Sequence, residues 1–278
     1  MESSRRPHWQ SKQRSEPKVM PDAIATASKL IGAEEYAQKY LIDMAFERHL
    51  ITARQDNCLE FLGQLAPTSV VEVGCGPDLL INRFDLAGSS IRSWLVIEPS
   101  FYADLIEEKR TSIDKLELER GYLEERVEAA RTRMPEGFDA VLLSGLLHET
   151  TNPQTMLSAA NALLRRGGSL LVSVPNAMSF HRLLGVEMGL MQSPTQLSER
   201  NIELGQPNVF HRETLEKMVI DAGFGELAFS GYMFKPFSNG QMREVLDIVG
   251  NNTVEGLIRL GKRFPENAAE IAIFARKL

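Results

Sequence analysis

The sequence has few cysteines, no long apolar run and no excess of basic residues, and each absence argues against a class of protein. Two cysteines in 278 residues cannot form a disulfide framework, so we expect a reducing, cytoplasmic setting. No run of about 18 apolar residues occurs, which argues against a membrane span. The net charge of −6 gives no support for a nucleic-acid-binding surface, which usually has a basic face. We therefore expect a small-molecule partner, with no nucleic acid and no membrane span.

The chain divides into a basic start, a helical segment and one large domain. Residues 1–20 lack the apolar core of a signal peptide, and we interpret them as a disordered tail. Residues 21–66 have helical periodicity that ends before Pro67, which predicts an N-terminal helical cap. We assign residues 67–278 to one domain, because a hydrophobic content of 43% suffices for one large core. Residues 176–211 are too long for an ordinary connection and predict a helical lid.

After Pro67, short apolar runs alternate with helical segments, which is typical of an α/β fold. The runs are too continuous for strands with one wet face and indicate strands buried on both sides, as in a parallel sheet. Short connections imply right-handed crossovers. We therefore predict a doubly wound, mostly parallel seven-stranded sheet of Rossmann-like type, with its last two strands closing one edge. The predicted strands are residues 70–73, 94–97, 115–119, 140–143, 169–174, 227–232 and 270–275.

Several helices of this domain have sequence signals at their ends. Asn152 and Pro153 form a typical helix start, and Gly167 and Gly168 predict where that helix stops. Residues 212–222 predict a helix that Gly223 ends. Residues 241–260 indicate one further helical region.

A glycine motif follows the first predicted strand. Gly74 and Gly76 are separated by one residue, Cys75, and follow Glu72. Glycines at this place allow a tight turn and let a ligand lie against the backbone, because no Cβ intervenes. The amide groups of a helix beginning after the motif would then meet a polar or negatively charged group. A purely structural turn is the alternative interpretation.

An acid at the end of the second strand strengthens the binding-site interpretation. Glu98 is 22 residues after Gly76, where a carboxylate can accept hydrogen bonds from two ribose hydroxyls. The motif and Glu98 together fit nicotinamide dinucleotides and S-adenosylmethionine. The dinucleotide pattern expects a third glycine where Leu79 stands and no acid at Glu72, so an NAD(P)-dependent oxidoreductase is the weaker alternative.

On these motifs the chain resembles the class I S-adenosylmethionine-dependent methyltransferases, in particular the small-molecule type related to ubiquinone-biosynthesis enzymes. The resemblance covers roughly residues 69–278 and implies the Rossmann-like methyltransferase fold. It implies that the glycines line the methionine moiety, that Glu72 holds the loop and the amino group, and that Glu98 holds the ribose. Asp78 and Tyr122 depart from the family pattern, so a non-catalytic scaffold stays an alternative. The cofactor-binding residues that it implies are Glu72, Gly74, Cys75, Gly76, Glu98, Pro99, Tyr122, Leu123, Ser144, Gly145 and Leu146.

Candidate catalytic residues are expected at the carboxyl ends of the strands, where open α/β sheets place their ligands. His148 follows the fourth strand and His181 opens the insertion, and a histidine can accept a proton at neutral pH. A histidine that only braces a loop is the alternative in both cases. We expect methyl transfer to oxygen or nitrogen of a small molecule such as a natural product, quinone or sugar, with no metal. A homodimer is one alternative for the oligomeric state.

Overall fold

The structure is a computed structural model that describes residues 32–40, 44–250 and 252–278. The predicted tail at residues 1–20 and the start of the predicted cap lie outside the described residues. The strands are β1 (Ser69–Val73), β2 (Ser93–Glu98), β3 (Leu116–Arg120), β4 (Phe138–Ser144), β5 (Leu164–Pro175), β6 (Phe224–Tyr232) and β7 (Glu270–Lys277). The helices are α1 (Ala33–Tyr40), α2 (Met44–Leu65), α3 (Ala103–Arg110), α4 (Leu123–Arg133), α5 (Pro153–Leu163), α6 (Phe180–Glu187), α7 (Glu199–Glu203), α8 (Arg212–Asp221), α9 (Asn239–Val249) and α10 (Asn252–Arg263).

The seven strands form one sheet in the order β3-β2-β1-β4-β5-β7-β6. Strands β1 to β5 pair in parallel, with Val71 opposite Leu95 on one side and Val141 on the other. Strand β7 lies between β5 and β6 and is antiparallel to both. The predicted mostly parallel sheet, with a C-terminal strand pair at its edge, is confirmed.

Helices cover both faces of the sheet because successive strand residues alternate between two apolar cores. Val71 and Leu95 face a core that includes residues of α4, α5 and α8. Val70 and Trp94 face the other core, which includes residues of α2 and α3. A third cluster joins the start of α2 to α9, α10 and Tyr232 of β6. The doubly wound arrangement therefore follows from strands that are apolar on both sides.

The predicted stop of α5 at Gly167 and Gly168 is wrong. The helix starts as predicted, with the Asn152 side chain accepting a hydrogen bond from the amide of Thr155, but it ends at Leu163. Pairing with β4 begins at Leu164, so both glycines lie inside β5. A Cβ at Gly168 would stand 2.9 Å from the carbonyl oxygen of Phe138, so this glycine permits the close pairing of the two strands.

Two further helix predictions are corrected. The segment after the glycine motif forms a short 3₁₀ helix, Leu80–Arg83, instead of an α-helix. Leu79, Leu80 and Ile81 are all buried, and three consecutive buried residues do not give the one-sided pattern of an amphipathic α-helix. The predicted region 241–260 forms two helices, because Gly250 ends α9 with φ +81°.

Candidate functional site

A cavity of about 480 Å³ opens at the carboxyl ends of β1, β2, β3 and β4. The strand order reverses between β1 and β4, and open α/β sheets bind ligands at this switch point. The volume lies in the usual range of small-molecule sites. The lining includes every residue predicted to bind the cofactor, namely Glu72, Gly74, Cys75, Gly76, Glu98, Pro99, Tyr122, Leu123, Ser144, Gly145 and Leu146.

The glycine motif forms the floor of this cavity. The amide of Gly74 donates to the carbonyl oxygen of Ile97 at 2.9 Å, which joins the end of β1 to β2. Gly74 has φ +71° and Gly76 has φ +60°, a backbone region that disfavours other residues. A Cβ at Gly76 would meet no atom within 4 Å, so any side chain there would extend into open space. The motif thus presents bare backbone to a ligand.

The carboxylate of Glu98 is held by the loops on either side of it. Its Oε2 accepts from the amide of Cys75 at 2.9 Å, and its Oε1 accepts from the amide and hydroxyl of Ser100 at 2.9 and 2.7 Å. Each carboxylate oxygen has two lone pairs, and Cys75 Sγ also approaches Oε2 at 3.5 Å, so a ribose hydroxyl would bind in place of this weak thiol contact or of the Ser100 hydroxyl. Glu98 is buried, lines the cavity and has its orientation set before any ligand binds.

Glu72 gives the cavity a second buried carboxyl group. Trp94 Nε1 donates to Glu72 Oε2 at 2.9 Å. Burial raises the pKa of Glu72 to about 8, although the Trp94 hydrogen bond acts in the opposite direction and the charge of Glu98 adds to the increase. A positively charged ligand group beside Glu72 would favour its ionised form.

The ends of β3 and β4 complete the rim. Tyr122 precedes α4 and is 48% exposed, so one of its ring faces can be covered by a ligand. The Oγ atoms of Ser144 and Ser173 are 3.3 Å apart. Gly145 has φ +73°, and a Cβ there would come within 3.1 Å of the guanidinium group of Arg54. Glycine at this position therefore lets Arg54 approach the backbone.

The N-terminal helices form the wall opposite the sheet. Tyr36 and Tyr40 of α1 line the cavity, and their rings stack with centroids 5.9 Å apart. Helix α2 adds Arg54, Gln55 and Cys58. These α2 residues were not predicted, because a helical pattern does not identify which of its polar residues face a distant strand end.

Arg54 belongs to a buried charge network. Its guanidinium makes two hydrogen bonds to the carboxylate of Glu270, of which the one from Nε to Oε2 measures 2.9 Å, and its Nη2 lies 3.7 Å from Glu47 Oε1. Tyr232 also donates to Glu270, at 2.7 Å. Burial opposes both charges, yet the attraction between them raises the pKa of Arg54 and lowers that of Glu270. The pair is therefore ionised and links α2 to the sheet.

The two histidines predicted as bases do not belong to the cavity lining. His148 lies just past β4, as predicted, but its side chain is buried and its Nδ1 has no hydrogen-bond partner within the described part of the chain. Burial, with the charge of Arg54, lowers the pKa of His148 to about 3. His181 lies on α6, and burial lowers its pKa to about 2. Their catalytic roles stay predictions from the sequence.

The insertion at residues 176–211 contains α6 and α7 and reaches the cavity at one place. Leu204 and Gly205 are its lining residues. Met188 and Leu190, which follow α6, are 60% and 71% exposed. No residue of α6 lines the cavity, whereas the segment after α7 does.

Comparisons with known proteins agree with this geometry. A family model described as a methyltransferase domain matches residues 46–226. The ubiquinone biosynthesis O-methyltransferase of Azotobacter vinelandii is 26% identical over 128 residues, which are 46% of this chain and 53% of that protein. Its counterpart from Dechloromonas aromatica is 32% identical over 117 residues, 40% of this chain and 46% of that protein. The chain thus spans about half the length of these curated relatives.

Solved structures show the same fold. A SAM-dependent methyltransferase from Archaeoglobus fulgidus has a TM-score of 0.53 and 18% identity, and covers 86% of this chain and 99% of its own. The 1,6-didemethyltoxoflavin-N1-methyltransferase of Burkholderia thailandensis has a TM-score of 0.53 and 15% identity, with coverage of 89% and 91%. That structure contains its acceptor and S-adenosylhomocysteine.

In the described part of the chain, no helix combines the length and apolar character that crossing a bilayer requires.

Proposed function

Because the chain belongs to the S-adenosylmethionine-dependent methyltransferase family, we propose that it transfers a methyl group from S-adenosylmethionine to an oxygen of a small-molecule acceptor, with nitrogen as the alternative atom. The observation that carries the proposal is the cavity in which the bare glycine backbone and the anchored carboxylate of Glu98 meet. The family match argues against the nicotinamide-dependent oxidoreductase.

The residues present fit this cofactor. Open space above Gly76 accommodates a ligand against the backbone, and Glu98 can accept from a ribose hydroxyl that replaces the weak Cys75 thiol contact at Oε2. Tyr122 offers a partly exposed ring for the adenine, and Glu72 offers a carboxyl group for the ammonium of the methionine moiety. These assignments follow the family resemblance and stay proposals for this chain.

When bound, S-adenosylmethionine supplies a methyl group on a positively charged sulfur, which is already a strong electrophile. The protein therefore contributes mainly by binding and orienting, an effect that reaches about 7–11 kcal/mol in favourable cases. Helices α1 and α2 and the segment after α7 supply the wall of the cavity formed by residues outside the sheet. The same wall is the place for an acceptor.

The proposed acceptor is a quinone-like phenol. The two curated relatives described above are named O-methyltransferases of ubiquinone biosynthesis, which supports a hydroxyl acceptor. Tyr36, Tyr40, Ile51 and Leu204 line the cavity with aromatic and apolar surface suited to such a ring. The cytoplasmic location and the homodimer stay predictions from the sequence.

Thermal-shift measurements with S-adenosylhomocysteine and NAD test the cofactor. At about 100 times its dissociation constant a ligand stabilises the protein by about 2.7 kcal/mol, and we expect this effect from S-adenosylhomocysteine alone. Gly76→Val should abolish it by filling the cavity floor. Gly189→Val is the matched control, because Gly189 has φ +71° and open space around it but lies outside the cavity lining.

Stabilisation by NAD alone, or an unchanged response of Gly76→Val, would contradict the proposal. Binding of S-adenosylhomocysteine with no transfer of a labelled methyl group to any acceptor would favour the non-catalytic scaffold.

A further inference from the structure

Glu149 lies where α1, the loop after β4 and the segment after α7 meet. It lines the cavity, and its side chain is 25% exposed. The hydroxyl of Tyr36 donates to Glu149 Oε1, and Gln206 Nε2 donates to the Tyr36 oxygen at 2.9 Å. A chain of hydrogen bonds thus links three segments distant in sequence, from Gln206 through Tyr36 to the carboxyl group of Glu149 inside the proposed acceptor site.

We propose that Glu149 is the residue that accepts the proton of a hydroxyl-bearing acceptor, and that Tyr36 and Gln206 hold its carboxylate in place. This inference rests on the proposed methyltransferase function and adds to it the base and the acceptor class. Helix α1 precedes the residues that the family model matches, so Tyr36 is a contribution of this chain outside the matched segment.

The neighbouring histidine is less suited to this role. His148 is next to Glu149 in sequence, with Nε2 3.6 Å from Glu149 Oε1, but it is absent from the cavity lining. Its pKa of about 3 makes it a weak base at neutral pH. The two side chains approach each other, and of the two only Glu149 lines the cavity.

The surroundings of Glu149 bring the pKa of its carboxyl group close to neutral pH. Burial raises the pKa of its carboxyl group to about 8, whereas the Tyr36 hydrogen bond and the charge of Arg54 on α2 lower it. The charges of Glu98 on β2 and Glu47 on α2 add to the increase. A general base works best when its pKa lies near the working pH.

The acceptor hydroxyl gives its proton to a carboxylate oxygen of Glu149, and the electron pair left on the acceptor oxygen forms the new bond to the methyl carbon. Sulfur keeps the electron pair of the bond that breaks and becomes neutral. The protonated Glu149 then returns its proton to solvent.

The test measures methyl transfer from tritiated S-adenosylmethionine to catechol and to 4-nitrocatechol between pH 6 and 9, for the wild type and Glu149→Gln. We expect the variant to bind S-adenosylhomocysteine normally and to lose about 100-fold or more in kcat/KM on catechol. The loss on 4-nitrocatechol should be much smaller, because its more acidic hydroxyl ionises without help. Glu34→Gln, which removes an exposed carboxylate from α1, is the control.

Tyr36→Phe tests whether the hydrogen bond from Tyr36 to Glu149 sets the pH dependence of kcat/KM, which a purely structural role of these residues would not affect. In the wild type kcat/KM should rise with pH through an apparent pKa at or below about 8, since the ionised carboxylate is the active form. Loss of the Tyr36 hydrogen bond should move this rise to higher pH and leave the plateau largely intact.

Three outcomes would overturn the inference while cofactor binding is normal: full activity of Glu149→Gln on catechol, equal losses on the two catechols, or no transfer to either catechol by the wild type. Loss of S-adenosylhomocysteine binding by the wild type would instead contradict the proposed function itself.

Discussion

Glu98→Gln is expected to weaken S-adenosylhomocysteine binding, and the structure indicates by how much. Both carboxylate oxygens accept from backbone amides, of Cys75 and of Ser100, so either orientation of the glutamine amide places an NH₂ group against a backbone donor. The glutamine side chain also has one oxygen fewer than glutamate to accept hydrogen bonds from the ribose hydroxyls. A hydrogen bond to a charged group contributes about 1.5–3 kcal/mol, which corresponds to about 10- to 150-fold in the dissociation constant.

A thermodynamic cycle separates the ribose contact from the disturbed loop. Calorimetry would compare 5′-methylthioadenosine with its 2′-deoxy analogue on the wild type and on Glu98→Gln. The missing hydroxyl should cost the wild type much more affinity than it costs the variant. Glu107→Gln, a change at an exposed carboxylate of α3, should behave as wild type. Equal penalties for the 2′-deoxy analogue on wild type and variant would refute the assignment of Glu98 to the ribose.

Two further predictions concern the buried charges. Arg54→Met should lower the free energy of unfolding by about 3–5 kcal/mol in urea denaturation at pH 7, because it leaves Glu270 buried without its partner. Since Arg54 holds the pKa of Glu270 below its ordinary value, this contribution to stability should be lost only in acid, where Glu270 becomes protonated. Arg83→Met, at an exposed arginine, is the control and should change the free energy of unfolding little. For Glu72, with a pKa of about 8, binding of S-adenosylhomocysteine at pH 7 should release a proton when the ligand ammonium favours the ionised carboxylate. Calorimetry in two buffers of different ionisation enthalpy should detect this proton in the wild type, and Glu72→Gln should lack it; equal release by both would contradict the assignment.

The strands and the glycine motif could be predicted because their signals are local. The run at residues 70–73 is apolar on both sides and matches β1, and Glu98 follows the next such run, so topology alone brings Gly76 and Glu98 together. By contrast, the end of α5 depends on where pairing between β4 and β5 begins, which is a property of two strands. In isolation Gly167 and Gly168 favour the end of a helix, but the pairing of β5 with β4 begins at Leu164 and ends the helix earlier.

The acceptor side of the cavity is less predictable because its contacts are long-range. Arg54 and Glu270 are 216 residues apart, and Tyr36 and Glu149 are 113 apart. The position of His148 after β4 was predicted correctly, but the direction of a side chain in a loop depends on the turn that follows the strand. Of these two adjacent residues only Glu149 lines the cavity, a difference that the sequence pattern does not indicate.

Gly145→Ala tests whether the approach of Arg54 to the end of β4 requires glycine. A left-handed backbone costs a residue with a Cβ about 1–2 kcal/mol, and at Gly145 the new methyl group would also come within 3.1 Å of the Arg54 guanidinium. Gly189→Ala is the matched control, since Gly189 has nearly the same φ and no atom near a Cβ. In urea denaturation Gly145→Ala should therefore be less stable than Gly189→Ala by about 1 kcal/mol or more, the usual cost of overpacking. Because Gly145 lines the cavity, only this variant should also bind S-adenosylhomocysteine more weakly. Equal destabilisation by the two substitutions would show that Arg54 moves aside freely and that its contact with the β4 terminus does not shape the site.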